Sequence, residues 1–161
     1  MSNYRFVLEG KEKERKFAEL FKLTEKSTPK EDRNEKWDVK IISKVDVKGL
    51  KKIDRKDKAY NEHWHWIELK GNKGNDGWLY GEADYFAFET NNYWLLVDKV
   101  KLQQFIKKYV YQKKIYTEKI PYKLYQRRGK QDQITLINSL DLCYLADSII
   151  RKKDSFIKKQ L

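Results

Sequence analysis

The stretch KWDVKIISKVDVKGLKK, residues 36–52, decides how this chain is read. Its valines and isoleucines fit a pleated surface, and they fall into two short runs, WDVKII and VDVKGL, joined near Ser43 and Lys44. A hairpin is the simplest connection. Asp38, Asp46 and Lys48 interrupt the apolar runs, and unpaired charges there would be expensive to bury. Side chains alternate along a strand, so Asp46 and Lys48 share one face of VDVKG while Val45 and Val47 take the other. Only seven residues separate Asp38 from Asp46. A two-residue turn at Ser43 and Lys44 would pair Ile41 with Asp46 and leave Asp38 on the opposite face. A common site therefore predicts an odd-length turn or a β-bulge.

Carboxylate oxygens hold hard cations such as Mg²⁺, and a positive group near the attacking water and the scissile phosphate assists phosphodiester cleavage. Asp38, Asp46 and Lys48 supply that set. The carbonyl of Val47, between the acid and the base, could also reach a metal.

Upstream, KEKERKFAELFKL has helical spacing, with Phe17, Leu20 and Phe21 on one face. Glu14 projects beside Phe17 and Phe21, whereas Glu19 lies on the far side. TEKSTPKEDRNEK reads as a loop. Downstream, KKIDRKDKAYNE is a charged loop or short helix, and HWHWIELKG alternates as a strand with Trp64, Trp66, Glu68 and Lys70 on one side. NKGNDG is a glycine-rich turn. ADYFAFET and YWLLVD flank Asn91 and Asn92 as a second hairpin. KVKLQQFIKKYV is helical, with a basic side suited to phosphate; YKLYQRRGKQDQITLINSLDL suggests strands around a basic turn, and DLCYLADSIIRKK a final helix. The expected architecture is α/β or α+β: one domain over residues 1–161, an N-terminal helix leading into a mixed, mostly antiparallel central sheet flanked by helices.

Thirty-six Lys and Arg against 24 Asp and Glu give a formal charge of +12 over 161 residues, which favours polyanions such as nucleic acid. The single cysteine, Cys143, rules out an internal disulfide and points to a reducing compartment. The first residues lack the apolar core of a secretory signal, and no run approaches the roughly 18 apolar residues of a membrane span. A soluble, cytoplasmic protein is expected, with no membrane partner.

The helix acid, WDV, VDVKG and GWLYGEADYFAFE, in that order, resemble the PD-(D/E)XK nuclease superfamily. Its signature is an acid on one strand and an acid-x-Lys triplet on the next. The likeness covers roughly Glu14 to Asp98, and includes phage-type and Holliday-junction-resolvase-like members. It implies a restriction-endonuclease-like core and a Mg²⁺-dependent DNA endonuclease, with Mn²⁺ able to substitute. Asp38 and Asp46 would bind metal and Lys48 would position the attacking water, with Glu14 as a supporting ligand. Branched DNA and a homodimer follow from the resolvase-like members, since a four-way junction presents two equivalent strands. Trp37 stands where many members carry proline.

Other assignments compete. Glu68 and Lys70 in IELK also share a strand face and could replace Asp46 and Lys48. Glu68 is an additional metal ligand if its strand lies beside VDVKG. The four charges could equally be cross-strand ion pairs on a solvated sheet. His63 and His65 read as ordinary strand residues, and the aromatics as packing, with Trp78 the one placed to touch substrate. Arg127, Arg128 and Lys130 form a basic turn suited to a DNA backbone, joined by Lys51, Lys52 and Lys70. Beyond the nuclease stand a non-catalytic nucleic-acid-binding protein and a protein-interaction module that meets an acidic partner.

Overall fold

The computed structural model describes residues 2–19, 25–40, 43–54 and 56–152. Helix α1, Ser2–Ala18, brings Phe17 edge-on to Trp94 at 5.2 Å between ring centroids. Leu20 and Phe21, expected on the same face, lie outside the described residues. After β1, Glu25–Lys26, comes helix α2, Pro29–Glu35, where the sequence had suggested a loop. This helix buries nothing, so hydrophobic periodicity is silent about it. Its end chemistry is what forms it. The Thr28 side chain accepts from the Glu31 N–H, Glu31 returns the bond to the Thr28 backbone, and Pro29 opens the first turn. Lys36 closes the helix in the left-handed region, at φ 63°.

Strands β2, Val39–Lys40, and β3, Lys44–Lys48, pair antiparallel with Val39 opposite Val45 and Lys40 opposite Lys44. The connection is thus three residues long, the odd length that a shared face requires. Strand β4, Trp64–Lys70, is followed by a 3₁₀ turn, Trp78–Tyr80. Strands β5, Tyr85–Glu89, and β6, Tyr93–Asp98, form the expected hairpin about Asn91 and Asn92. Asp98 then caps helix α3, Lys99–Tyr109. Strand β7, Tyr111–Tyr116, is exposed along almost its whole length and so carried no apolar signal. Strands β8, Lys123–Tyr125, and β9, Gln133–Asn138, flank the basic turn. The expected final helix is shorter: α4, Ser139–Leu145, ends where Ala146 turns extended, and Ser148–Arg151 forms strand β10 against β6.

The fold is mixed α+β. Among the described residues the strands form two sheets rather than one central sheet: β1-β2-β3-β5-β6-β10, and β4-β9-β8-β7. Pairing is antiparallel except for β3 with β5 and β7 with β8. The larger core lies between the sheets, where Ile67 and Leu69 of β4 meet Phe86 and Phe88 of β5, with Leu102 and Ile106 of α3. Phe17, Val39, Val45, Ala87 and Trp94 form a second cluster under α1. Alternation along β3 therefore sends Val45 toward α1, while Asp46 and Lys48, paired with Phe86 and Phe88, take the other side. Among the described residues no helix is long and apolar enough to cross a membrane.

Candidate active site

Asp38, Asp46, Lys48, Glu68 and Trp78 line one cavity of about 250 Å³. Asp38 sits just before β2, where Oδ2 accepts the Val47 N–H at 2.7 Å. That bond replaces a sheet partner for β3 at the point where β2 has not yet begun. The backbone groups of one strand residue point to the same side, so the Val47 carbonyl leaves the strand along this edge too. Asp46 is almost fully buried. Its Oδ2 lies 2.6 Å from Lys48 Nζ. The same ammonium lies 4.3 Å from the centre of the Trp78 ring, which packs edge-on to Phe86 at 4.8 Å. An ion pair below and an aromatic face beside it fix the lysine in place.

Two adjacent acids and one lysine leave a surplus of negative charge. The Asp38 carboxyl lies within charge range of both Asp46 and Lys48. Burial, and next the charge of Asp46, pushes the Asp38 carboxyl up to about 7. Burial also raises Asp46, against the pull of Lys48. Glu14, half-buried on α1, is pushed up to about 7 by burial first, then by Asp38 and Asp32. The helix acid thus lies within charge range of Asp38.

No family model, no curated protein and no solved structure matches the chain. The site is accordingly judged on its own chemistry. Among the described residues no group of three or more His, Cys, Asp or Glu is gathered closely enough to hold a metal ion. Asp38 and Asp46, on either side of the β2–β3 hairpin, offer the cavity two carboxylates. Mg²⁺ is ordinarily held by one or two carboxylates and keeps several waters, so the pair fits that ion. A divalent cation would take the place of the proton that burial favours on these carboxyls.

The remaining expected residues divide. Glu68 lines the cavity although β4 belongs to the other sheet and β5, not β4, lies beside β3. Lys70 is exposed, its backbone pairs with that of Asp76, and it does not line the cavity; the β4–β9 register shifts between Glu68 and Lys70. The acid-x-Lys geometry at the cavity is therefore that of Asp46 and Lys48. Lys51 and Lys52 are exposed, and the Lys51 ammonium is within charge range of Asp46, Glu68 and Lys48. Arg127 is committed inside the protein: its Nε pairs with the fully buried Asp132, and its terminal nitrogen donates to Asn72 at 2.6 Å. Arg128 and Lys130 remain exposed on that turn. His63 is exposed. His65 is buried beside Phe88, 3.0 Å from the Ser139 hydroxyl, and burial lowers its pKa to about 4.

Three cavity residues escaped the sequence reading: Asp32, Arg33 and Lys36. They belong to α2 and its cap. The signal that could have found them is TPKE, the capping pattern, rather than any apolar periodicity.

Proposed function

We propose that the chain is a Mg²⁺-dependent DNA endonuclease, with Mn²⁺ able to substitute. The observation that carries this reading is the buried Asp46 carboxyl with the Lys48 ammonium 2.6 Å away and the half-buried Asp38 carboxyl lining the same cavity. Solvated cross-strand ion pairs would not bury Asp46 and hold Lys48 against it at the mouth of a cavity. Asp38 and Asp46 would hold the metal, with the Val47 carbonyl, Glu68 and Glu14 in supporting positions. Bound there, Mg²⁺ supplies Lewis-acid stabilisation of charge on the phosphate and a water of lowered pKa. Lys48, held by Asp46 and Trp78, orients the attacking water and stabilises charge as it develops. Arg33 and Lys36 at the cavity offer cations to flanking phosphates. Branched DNA, cut by a homodimer with one pocket per strand, is the substrate geometry that accompanies this reading.

The test is cleavage of labelled four-way-junction, linear duplex and single-stranded DNA by the wild type and Lys48→Ala, with Mg²⁺ or with chelator. Metal-dependent cutting should fall at least about 100-fold in the variant, the lower range for a positioned proton-transfer group, while DNA affinity stays within a few-fold. Binding without cutting on every substrate would sink the proposal and leave a non-catalytic nucleic-acid-binding protein.

A further inference from the structure

The charge is unevenly placed along the chain. Residues 99–130 hold eleven Lys and Arg against one acid, Glu118, and so carry +10 of the total +12. Some of these cations are engaged, Lys101 with Asp147, Lys119 with Asp54 and Arg127 with Asp132. Lys114 of β7 and Lys123 of β8 lie instead over tyrosine rings. Lys114 Nζ is 5.0 Å from the Tyr116 ring centre, and Lys123 Nζ is 5.3 Å from both Tyr111 and Tyr116. Tyr111 is 46% exposed, on an edge strand.

The register continues this patch into the candidate active site. Tyr116 stands opposite Tyr125, Tyr125 opposite Ile134, and Ile134 opposite Glu68. Residues paired across a sheet share a face, so one row runs from the edge strand past the buried Ile134 to the half-buried acid at the cavity. Trp66, two residues before Glu68 on the same face, holds its ring 6.1 Å from Tyr125. Three strand spacings of about 4.8 Å make the row ~14 Å long, about four stacked nucleotides at ~3.4 Å each.

We propose that this outer face of the four-stranded sheet is a track for an unpaired DNA strand, leading to the cavity at Glu68. Tyr111, Tyr116, Tyr125 and Trp66 offer rings to bases, and Lys114 and Lys123 meet phosphates. Stacking rings interleaved with ammonium groups are the equipment for single strands, whereas a duplex keeps its bases stacked inside and gains only from the lysines. Lysines placed merely to guard a sheet edge would need no row of rings ending at an acid of the pocket. The inference rests on the nucleic-acid reading above for its ligand class, and binding tests it without any cutting.

The experiment is fluorescence anisotropy in chelator, with a labelled single-stranded oligonucleotide and its duplex, on the full chain carrying Tyr111→Ala with Tyr116→Ala, or Lys114→Gln with Lys123→Gln. The tyrosine pair should lose about tenfold or more in single-strand affinity with duplex binding within about twofold. The lysine pair should weaken both forms and lower the salt slope on single strands by about 1.4. Wild-type single-strand binding by the tyrosine variant, or equal loss on both forms, would overturn the track. If that variant still cuts DNA with Mg²⁺, the nuclease reading survives the failure; a selective single-strand loss in a protein that never cuts upholds the track alone.

Discussion

Replacing Asp38 with Asn removes a charge while keeping an oxygen to accept the Val47 N–H, so the variant isolates the electrostatic part of the site. Burial and the neighbouring Asp46 raise the Asp38 carboxyl from 3.8 to about 7. At ~1.36 kcal/mol per unit, that displacement is worth ~4 kcal/mol. The folded chain holds this proton to higher pH than the unfolded chain does. The stabilising contribution is therefore fully present below about pH 3.8, and is lost as pH rises through about 7. Glu14 works in the same direction, raised from 4.5 to about 7. His65 works in the opposite direction. Its folded pKa is lowered from 6.5 to about 4, so its contribution is present above 6.5 and lost as pH falls through 4. The wild type sums these opposing slopes, but the difference between wild type and Asp38→Asn cancels His65.

Urea unfolding followed by tryptophan fluorescence in chelator measures that difference. The variant should gain on the wild type by about 2 to 3 kcal/mol between about pH 5 and pH 8, the part of the Asp38 titration that falls in this window. Excess Mg²⁺ should then stabilise the wild type more than the variant, and more at the upper pH, where the acids are bare. A difference that stays flat with pH, or a variant that loses ground as pH rises, would refute the buried-pair argument.

Arg127→Ala should cost about 1 to 3 kcal/mol in urea unfolding, because the fully buried Asp132 loses its guanidinium partner and keeps the Arg127 backbone N–H, with DNA affinity little changed. Gly77→Ala should cost about 1 to 3 kcal/mol, since a methyl group there overlaps the Glu68 carbonyl. It should also slow cutting by displacing the turn that carries Trp78, as a rate measurement beside the melt would show. Glu89→Gln should lower stability by about 3 kcal/mol in thermal melts. That carboxylate takes Lys13 at 2.7 Å, Lys152 at 2.8 Å and the Leu50 N–H at 2.9 Å, tying α1 and β10 to the chain just past Lys48.

Alternation and turn chemistry were legible where one face of an element is buried. β3, β4, the β5–β6 hairpin and α3 follow from their apolar spacing, and the odd-length turn followed from requiring Asp38 and Asp46 to meet. Elements that bury little were illegible by that route. α2 is held by caps, and β7 is exposed along most of its length, so neither has a hydrophobic period to read. The separation into two sheets was also hidden. Local sequence says that HWHWIELK is a strand but not which strand it joins, and β4 pairs with β9, more than sixty residues later. Glu68 reaches the cavity from that second sheet, a juxtaposition set by tertiary packing alone.

The charges in VDVKG make sense as a cost accepted at one place. Val39, Val45 and Val47 show that the hairpin is built to pack, and an apolar residue at position 46 would pair with Phe86 without penalty. The chain instead places there an acid that burial disfavours, and sets a second acid against it. Lys48 is the cation in contact and Lys51 acts at longer range, and burial still holds the Asp38 carboxyl up to about 7. Replacing a buried ionic cluster by apolar side chains is commonly neutral or stabilising, which makes stability a poor reason to keep this one. A cation that displaces the proton burial favours would turn the same arrangement from a liability into a ligand set. Perturbed acids gathered in a cleft with a fixed ammonium are where such a trade is made for chemistry.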